Sequence, residues 1–83
     1  MPYYVYILYS QSTDHYYVGH TNDLRQRIDQ HNAGRTPSTK TGRPWTLVYK
    51  ETYPDKSSAF RRELEIKNKK SRKYIEQLIS SAG

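Results

Sequence analysis

Tyr3–Tyr9 is a run of aromatic, branched and aliphatic side chains that alternation divides between two faces of an extended segment, Tyr4, Tyr6 and Leu8 on one and Val5 and Ile7 on the other. Neither face is polar, so both are expected to be at least half buried. Gln11-Ser12-Thr13-Asp14 reads as a polar turn, and His15 to Gly19 as the strand that returns from it and ends at the glycine. Thr21 or Asn22 then caps a helix from about Asp23 to His31, which stops at Asn32-Ala33-Gly34 with Gly34 as a left-handed cap. A connecting loop follows over about 33–44. Residues 35–44 contain no large apolar side chain and three positive charges, so they are expected to stay out of the core and be mobile, as a backbone-contacting arm or as a loose connection. Trp45–Thr52 predicts a third strand, joined through Tyr53-Pro54-Asp55 to a helix beginning near Ser57 or Ser58. Ser71 caps a last helix with a stripe of Tyr74, Ile75, Leu78 and Ile79. The element order is therefore β-β-α-β-α-α in one α+β domain spanning 1–83, with a basic helical region over 57–80.

Two helices carry charge where periodicity puts apolar side chains. The first has the series Leu24, Arg27, Ile28, His31, which sets a guanidinium and an imidazole beside the inward stripe. Either Arg27 snorkels past the helix edge while His31 is a satisfied core histidine, or both point into a cleft that receives an anion. On the second, Ala59, Phe60, Leu64 and Ile66 form the apolar arc with Glu63 and Lys67 between them, while Arg61, Arg62, Glu65, Asn68 and Lys69 fall outside. Glu63 is either half of a buried ion pair with Lys67 or an arginine, or a functional carboxylate. Close spacing to Arg27 would favour a chemical role for the tyrosines. Tyrosines far from Arg27, or a Glu63 paired with Lys67 and closed to solvent, would remove the catalytic reading.

Composition narrows the choices. At 83 residues there is one small core, burying about 60–65% of the unfolded surface. Nine tyrosines against one tryptophan and one phenylalanine mean that tyrosines must fill that core and place hydroxyls at its rim. The absence of cysteine excludes a disulfide framework and a thiolate metal site. The opening strand has no basic leader and is too short to cross a membrane, so a cytoplasmic protein is expected. The net charge of +6 is uneven: residues 1–55 hold six Lys/Arg against five acids, and 56–83 hold eight against three. That excess points to a phosphate backbone, with Arg35, Lys40 and Arg43 in the loop and Lys67, Lys69, Lys70, Arg72 and Lys73 at the junction of the last two helices as the contacting residues.

These residues fall into a recognisable order. Tyr4-Val5-Tyr6 is followed after ten residues by Tyr17-Val18-Gly19, then by Leu24-Arg25-Gln26-Arg27-Ile28-Asp29-Gln30-His31-Asn32, and later by Arg62-Glu63-Leu64-Glu65-Ile66-Lys67. In this the chain resembles the GIY-YIG nuclease domain over nearly its whole length, with Gly19 as the glycine of the second triplet and Tyr4 in place of the first triplet's glycine. It is most similar to the small stand-alone bacterial members. The resemblance implies a three-stranded antiparallel sheet packed by helices. It also implies hydrolysis of a DNA phosphodiester to a 5′-phosphate and a 3′-hydroxyl, with repair or recombination as the setting.

By the same resemblance Glu63 would hold one Mg²⁺ or Mn²⁺, Arg27 would neutralise the phosphoryl group, Tyr6, Tyr17 or both would orient the attacking water, and His31 would accept a proton or tune a tyrosine. A tyrosine acting as base needs its pKa lowered by about three units, roughly 4 kcal/mol, which an arginine with a metal ion can supply in a partly dry cleft. No appended specificity domain follows, so a partner protein would supply selectivity. Two other functions fit the same residues: a nucleic-acid-binding module without turnover, and a protein-interaction domain that meets an acidic partner.

Overall fold

A computed structural model describes residues 1–82. Three strands, β1 (Tyr3–Ser10), β2 (His15–Thr21) and β3 (Trp45–Tyr53), form an antiparallel sheet in the order β2-β1-β3. Helix α1 (Leu24–Asn32) and a short 3-10 helix (Pro37–Gly42) precede β3, and α2 (Lys56–Asn68) and α3 (Arg72–Ala82) follow it. The α+β architecture and its β-β-α-β-α-α order match the expectation. No helix among the described residues is long and apolar enough to cross a membrane.

The central position of β1 explains its sequence. With helices on both sides of the sheet, Val5 and Ile7 pack with Val18, Ala59 and Ile66, while Tyr6 and Leu8 pack with Trp45 and the partly buried Leu24 and Ile28. A strand covered on both faces has no polar face to show, which is why the run from Val5 to Leu8 is buried without a break. Strand β2 continues past Gly19 to Thr21, so the glycine does not end it. Instead Gly19 lies opposite Tyr6 in the ladder, and a Cβ there would stand 2.5 Å from the Tyr6 hydroxyl. Glycine is required for that approach.

The caps are shifted by one or two residues from those expected. Asp23 caps α1, accepting from the Gln26 N–H at 3.0 Å, while the Thr21 hydroxyl accepts from the Asp23 N–H at 3.1 Å. Asp55 caps α2 through the Ser58 N–H at 2.7 Å, and the Ser71 hydroxyl accepts from the Tyr74 N–H at 3.1 Å as expected. Gly34 adopts φ 78° just after α1, as its sequence position implied.

Two expectations about packing need correction. The segment 35–44 does enter the core: Thr39 is fully buried, and its carbonyl accepts from the Trp45 indole N–H at 2.6 Å. Small polar side chains can be buried when each donor and acceptor has a partner, and apolar content alone does not reveal this. On α2 the buried face is Ala59, Glu63 and Ile66, while Phe60 and Leu64 are 46% and 39% exposed. The helix is turned so that Arg62 faces β3. Its guanidinium donates to both Glu51 oxygens, Nε at 2.9 Å and Nη2 at 3.1 Å, and to the Tyr74 hydroxyl at 3.0 Å. Tyr49 and Tyr53 also donate to the Glu51 carboxylate. This network ties β3, α2 and α3 together. Arg62→Met is expected to lower the unfolding free energy by about 2 kcal/mol, because the partly buried Glu51 keeps its charge and loses its counter-charge. The urea midpoint measures it, and a midpoint equal to wild type would show that the network adds nothing to stability.

Candidate active site at the edge of the sheet

Four of the expected residues meet in one network on the α1 side of the sheet. The Tyr6 hydroxyl, on a residue 1% exposed, lies 3.0 Å from His31 Nε2 and accepts from Arg27 Nε at 3.4 Å. His31 Nδ1 lies 2.8 Å from the Thr39 hydroxyl, which in turn donates to the Thr36 carbonyl at 3.2 Å. The direction of the chain follows. A carbonyl only accepts, so Thr39 donates to it and takes the His31 Nδ1–H; neutral His31 then has its lone pair on Nε2, and Tyr6 donates there. Tyr17 closes the group, with its ring centroid 4.8 Å from that of His31 and 6.3 Å from that of Tyr6. Arg27 donates to the Tyr6 hydroxyl, and the two tyrosine hydroxyls favour its charged form.

Burial sets the protonation states. It pushes the Tyr6 phenol up to about 12, and the Arg27 hydrogen bond only partly opposes this. Burial, with Arg27 second, pushes His31 below its ordinary 6.5 and keeps it neutral. Of the two earlier readings of α1, the structure shows the satisfied core histidine of the first: His31 has a partner on each ring nitrogen, and Arg27 reaches along the helix edge to Tyr6 and, at 3.2 Å, to Gln30.

Glu63 comes from the other side of the sheet. Alternation along β2 turns Tyr16 and Val18 toward the α2 side and Tyr17 toward α1. His20 shares the α2 side, where its Nδ1 lies 2.6 Å from Glu63 Oε1 and its ring stands edge-on to Phe60. The second carboxylate oxygen, Oε2, accepts from Lys67 Nζ at 2.7 Å. The pairing with Lys67 foreseen as adverse is thus present. Glu63 nevertheless retains 8% exposure, and the Lys67 side chain over it is 47% exposed. Because β2 is an edge strand, the two halves meet around its rim, where Lys67 Nζ also stands 5.9 Å from the Tyr17 ring centroid. His20 was not anticipated, since a histidine next to the glycine triplet has no periodic or charge signal.

The candidate phosphate contacts do not form one surface. Lys67, Lys70 and Arg72 line a groove of about 440 Å³ that runs past Tyr16 and Tyr17. Arg35 lines a different groove against α1, and Lys40 and Arg43 line a third with Asn32. Lys69 stands over the Tyr74 ring at 5.3 Å, Arg72 pairs with Asp14 at 2.6 Å and Glu76 at 3.2 Å, and Lys73 is exposed on α3.

Among the described residues no group of three or more His, Cys, Asp and Glu could hold a metal ion. The donor set offered is one carboxylate, Glu63. That suits a hard cation such as Mg²⁺, which keeps most of its waters and takes its remaining ligands from substrate phosphate.

The sequence profile of the GIY-YIG catalytic domain matches residues 2–75. A UPF0213 protein of Staphylococcus haemolyticus is 48% identical over 77% of this chain and 78% of its own. A UPF0213 protein of Halalkalibacterium halodurans is 39% identical over 100% of this chain and 87% of its own. The solution NMR structure of the UPF0213 protein from Bacillus halodurans matches at a TM-score of 0.62 and 39% identity, covering 100% of this chain and 87% of that one. These names carry no activity.

The buried neutral histidine gives a pH test. Between its lowered folded pKa and 6.5, the unfolded chain binds a proton that the folded chain does not, so stability rises with pH. The urea midpoint of wild type is expected to fall as pH drops from about 7 to about 5, and this slope to shrink in His31→Gln. Equal slopes would mean that His31 charges freely in the folded state.

Proposed function

We propose that this chain, which belongs to the GIY-YIG catalytic-domain family, hydrolyses DNA phosphodiester bonds with one divalent cation, Mg²⁺ or Mn²⁺, held by Glu63. The observation that carries the reading is the meeting of an arginine, two tyrosines and a neutral histidine in one network at the same sheet edge as a solvent-touched carboxylate. A scissile phosphate lying across the rim of β2 would face both halves. When bound, the cation would stabilise charge on the phosphoryl and leaving oxygens.

The protein's own groups divide the remaining chemistry. Arg27 meets the phosphoryl oxygens with the guanidinium edge left free by Tyr6 and Gln30. Tyr17, which borders the open groove, orients the attacking water. Tyr6 cannot serve there, because it is closed to solvent, donates to His31 and resists ionisation. Its part is to fix Arg27, held in place itself by its hydrogen bond to His31 Nε2. Water adds to phosphorus as the bond to the 3′-oxygen breaks, leaving a 5′-phosphate and a 3′-hydroxyl.

A binding module without turnover is the second reading, favoured by the two hydrogen bonds that already occupy Glu63. Incubation of wild type and Glu63→Gln with single-stranded, duplex and branched DNA in Mg²⁺ separates them. Cleavage by wild type alone supports the enzyme. Salt-sensitive retention of DNA by both proteins without cleavage supports the module. Within the enzyme reading, Tyr17→Phe is expected to lower kcat by about 100-fold or more with folding intact. Tyr6→Phe is expected to lose about 1 kcal/mol of stability as well as activity. A fully active Tyr17→Phe variant would remove Tyr17 from the mechanism.

A further inference from the structure

Each oxygen of the Glu63 carboxylate already has a partner, with Oε1 2.6 Å from His20 Nδ1 and Oε2 2.7 Å from Lys67 Nζ. A cation seeking Oε2 must share it with an ammonium group or displace it. Direct sharing is disfavoured by repulsion between like charges at contact distance. His20 is anchored between Glu63 and Phe60 on the sheet, whereas Lys67 is nearly half exposed, in the last turn of α2, on a flexible four-carbon stem. Lys67 is the movable partner.

The place to which it can move is also defined. Lys67 lines the groove of about 440 Å³ beside Tyr16 and Tyr17, and among the described residues no acidic side chain lines that groove. Arg72 is committed there to Asp14 and Glu76, so the ammonium groups that can turn to an anion entering it are Lys70 and, on leaving Glu63, Lys67. A phosphodiester in the groove therefore competes with Glu63 for Lys67.

We propose that Lys67 is a latch that makes metal binding depend on nucleic acid: in the free protein it occupies the Glu63 carboxylate, and a backbone phosphate in the adjoining groove draws it away and opens Oε2 to the cation. This rests on Glu63 as the metal-holding residue. It makes Lys67 a positioning residue that couples two binding events rather than a group that reacts. By linkage the cation must strengthen nucleic-acid binding by the same factor. Solvent-exposed Glu65, two positions away, has no such latch over its role as a surface partner of Arg62.

The test is a Mn²⁺ titration read by paramagnetic broadening of amide NMR signals around Glu63, which needs no turnover. Wild type, Lys67→Met, Lys70→Met and Glu63→Gln are compared, each alone and with a short phosphorothioate-linked oligothymidylate. Lys67→Met alone is expected to bind Mn²⁺ about tenfold more tightly than wild type, a typical size for such coupling. Lys70→Met, which removes the same charge from the same groove without touching Glu63, is expected to change the affinity less than about threefold, as a screened surface charge does. The oligonucleotide is expected to tighten Mn²⁺ binding to wild type and to add little to Lys67→Met. Equal Mn²⁺ affinity in wild type and Lys67→Met, with broadening lost in Glu63→Gln, overturns the latch and leaves the metal site standing. Equal gains in Lys67→Met and Lys70→Met reduce the effect to bulk charge and overturn it too. Broadening around Glu63 in none of the forms overturns both the latch and the metal reading beneath it.

Discussion

The structure depends on one hydrogen-bonded chain through a histidine that has no access to water. From the Tyr6 hydroxyl through His31 and Thr39 to the Thr36 carbonyl, each side-chain donor has an acceptor, and Arg27 joins the chain by donating to Tyr6. An imidazole at 0% exposure is tolerable only on that condition. The chain joins the central strand, α1 and the 3-10 helix, so the requirement that His31 be satisfied also fixes where those elements lie. It separates the two tyrosines as well: Tyr6 is buried and held neutral, whereas Tyr17 borders the open groove.

Two carboxylates, Glu51 facing α2 from β3 and Glu63 carried on α2 itself, show what distinguishes a structural group from a candidate functional one. Burial opposes ionisation of Glu51, but Arg62 and two tyrosine hydroxyls outweigh it and hold its pKa below the usual carboxylate range. All of its partners come from packed elements. Glu63 has one fixed partner on the sheet and one on a half-exposed lysine, and this asymmetry leaves it answerable to whatever enters the neighbouring groove.

Much of this was readable from residue order. The Leu24, Arg27, Ile28, His31 series announced polar groups on an inward face, and Glu63 stood out against its apolar neighbours for the same reason. Strand and helix order followed from periodicity and caps. What stayed hidden lacks a periodic signal. His20 is polar on a strand with one buried face, Thr39 sits in a segment without apolar side chains, and Arg62 lay outside the arc because α2 turns to meet Glu51. Each is determined by a partner distant in sequence. Equally, spacing could not reveal that Glu63 approaches from the opposite side of the sheet to Arg27, since faces are assigned by topology.

The contacts that build the rim of β2 span long stretches of chain. Tyr6 reaches His31 across 25 residues, His20 reaches Glu63 across 43, and Arg72 reaches Asp14 across 58. Tyr6, Arg27 and His31 can meet within residues 6–31, but only a stretch that reaches from Tyr6 to Glu63 holds both halves of the site. The longer loop must therefore close before the two halves face one another. Chemistry at β2 that needs both would itself report that the sheet has folded onto α1 and α2 together.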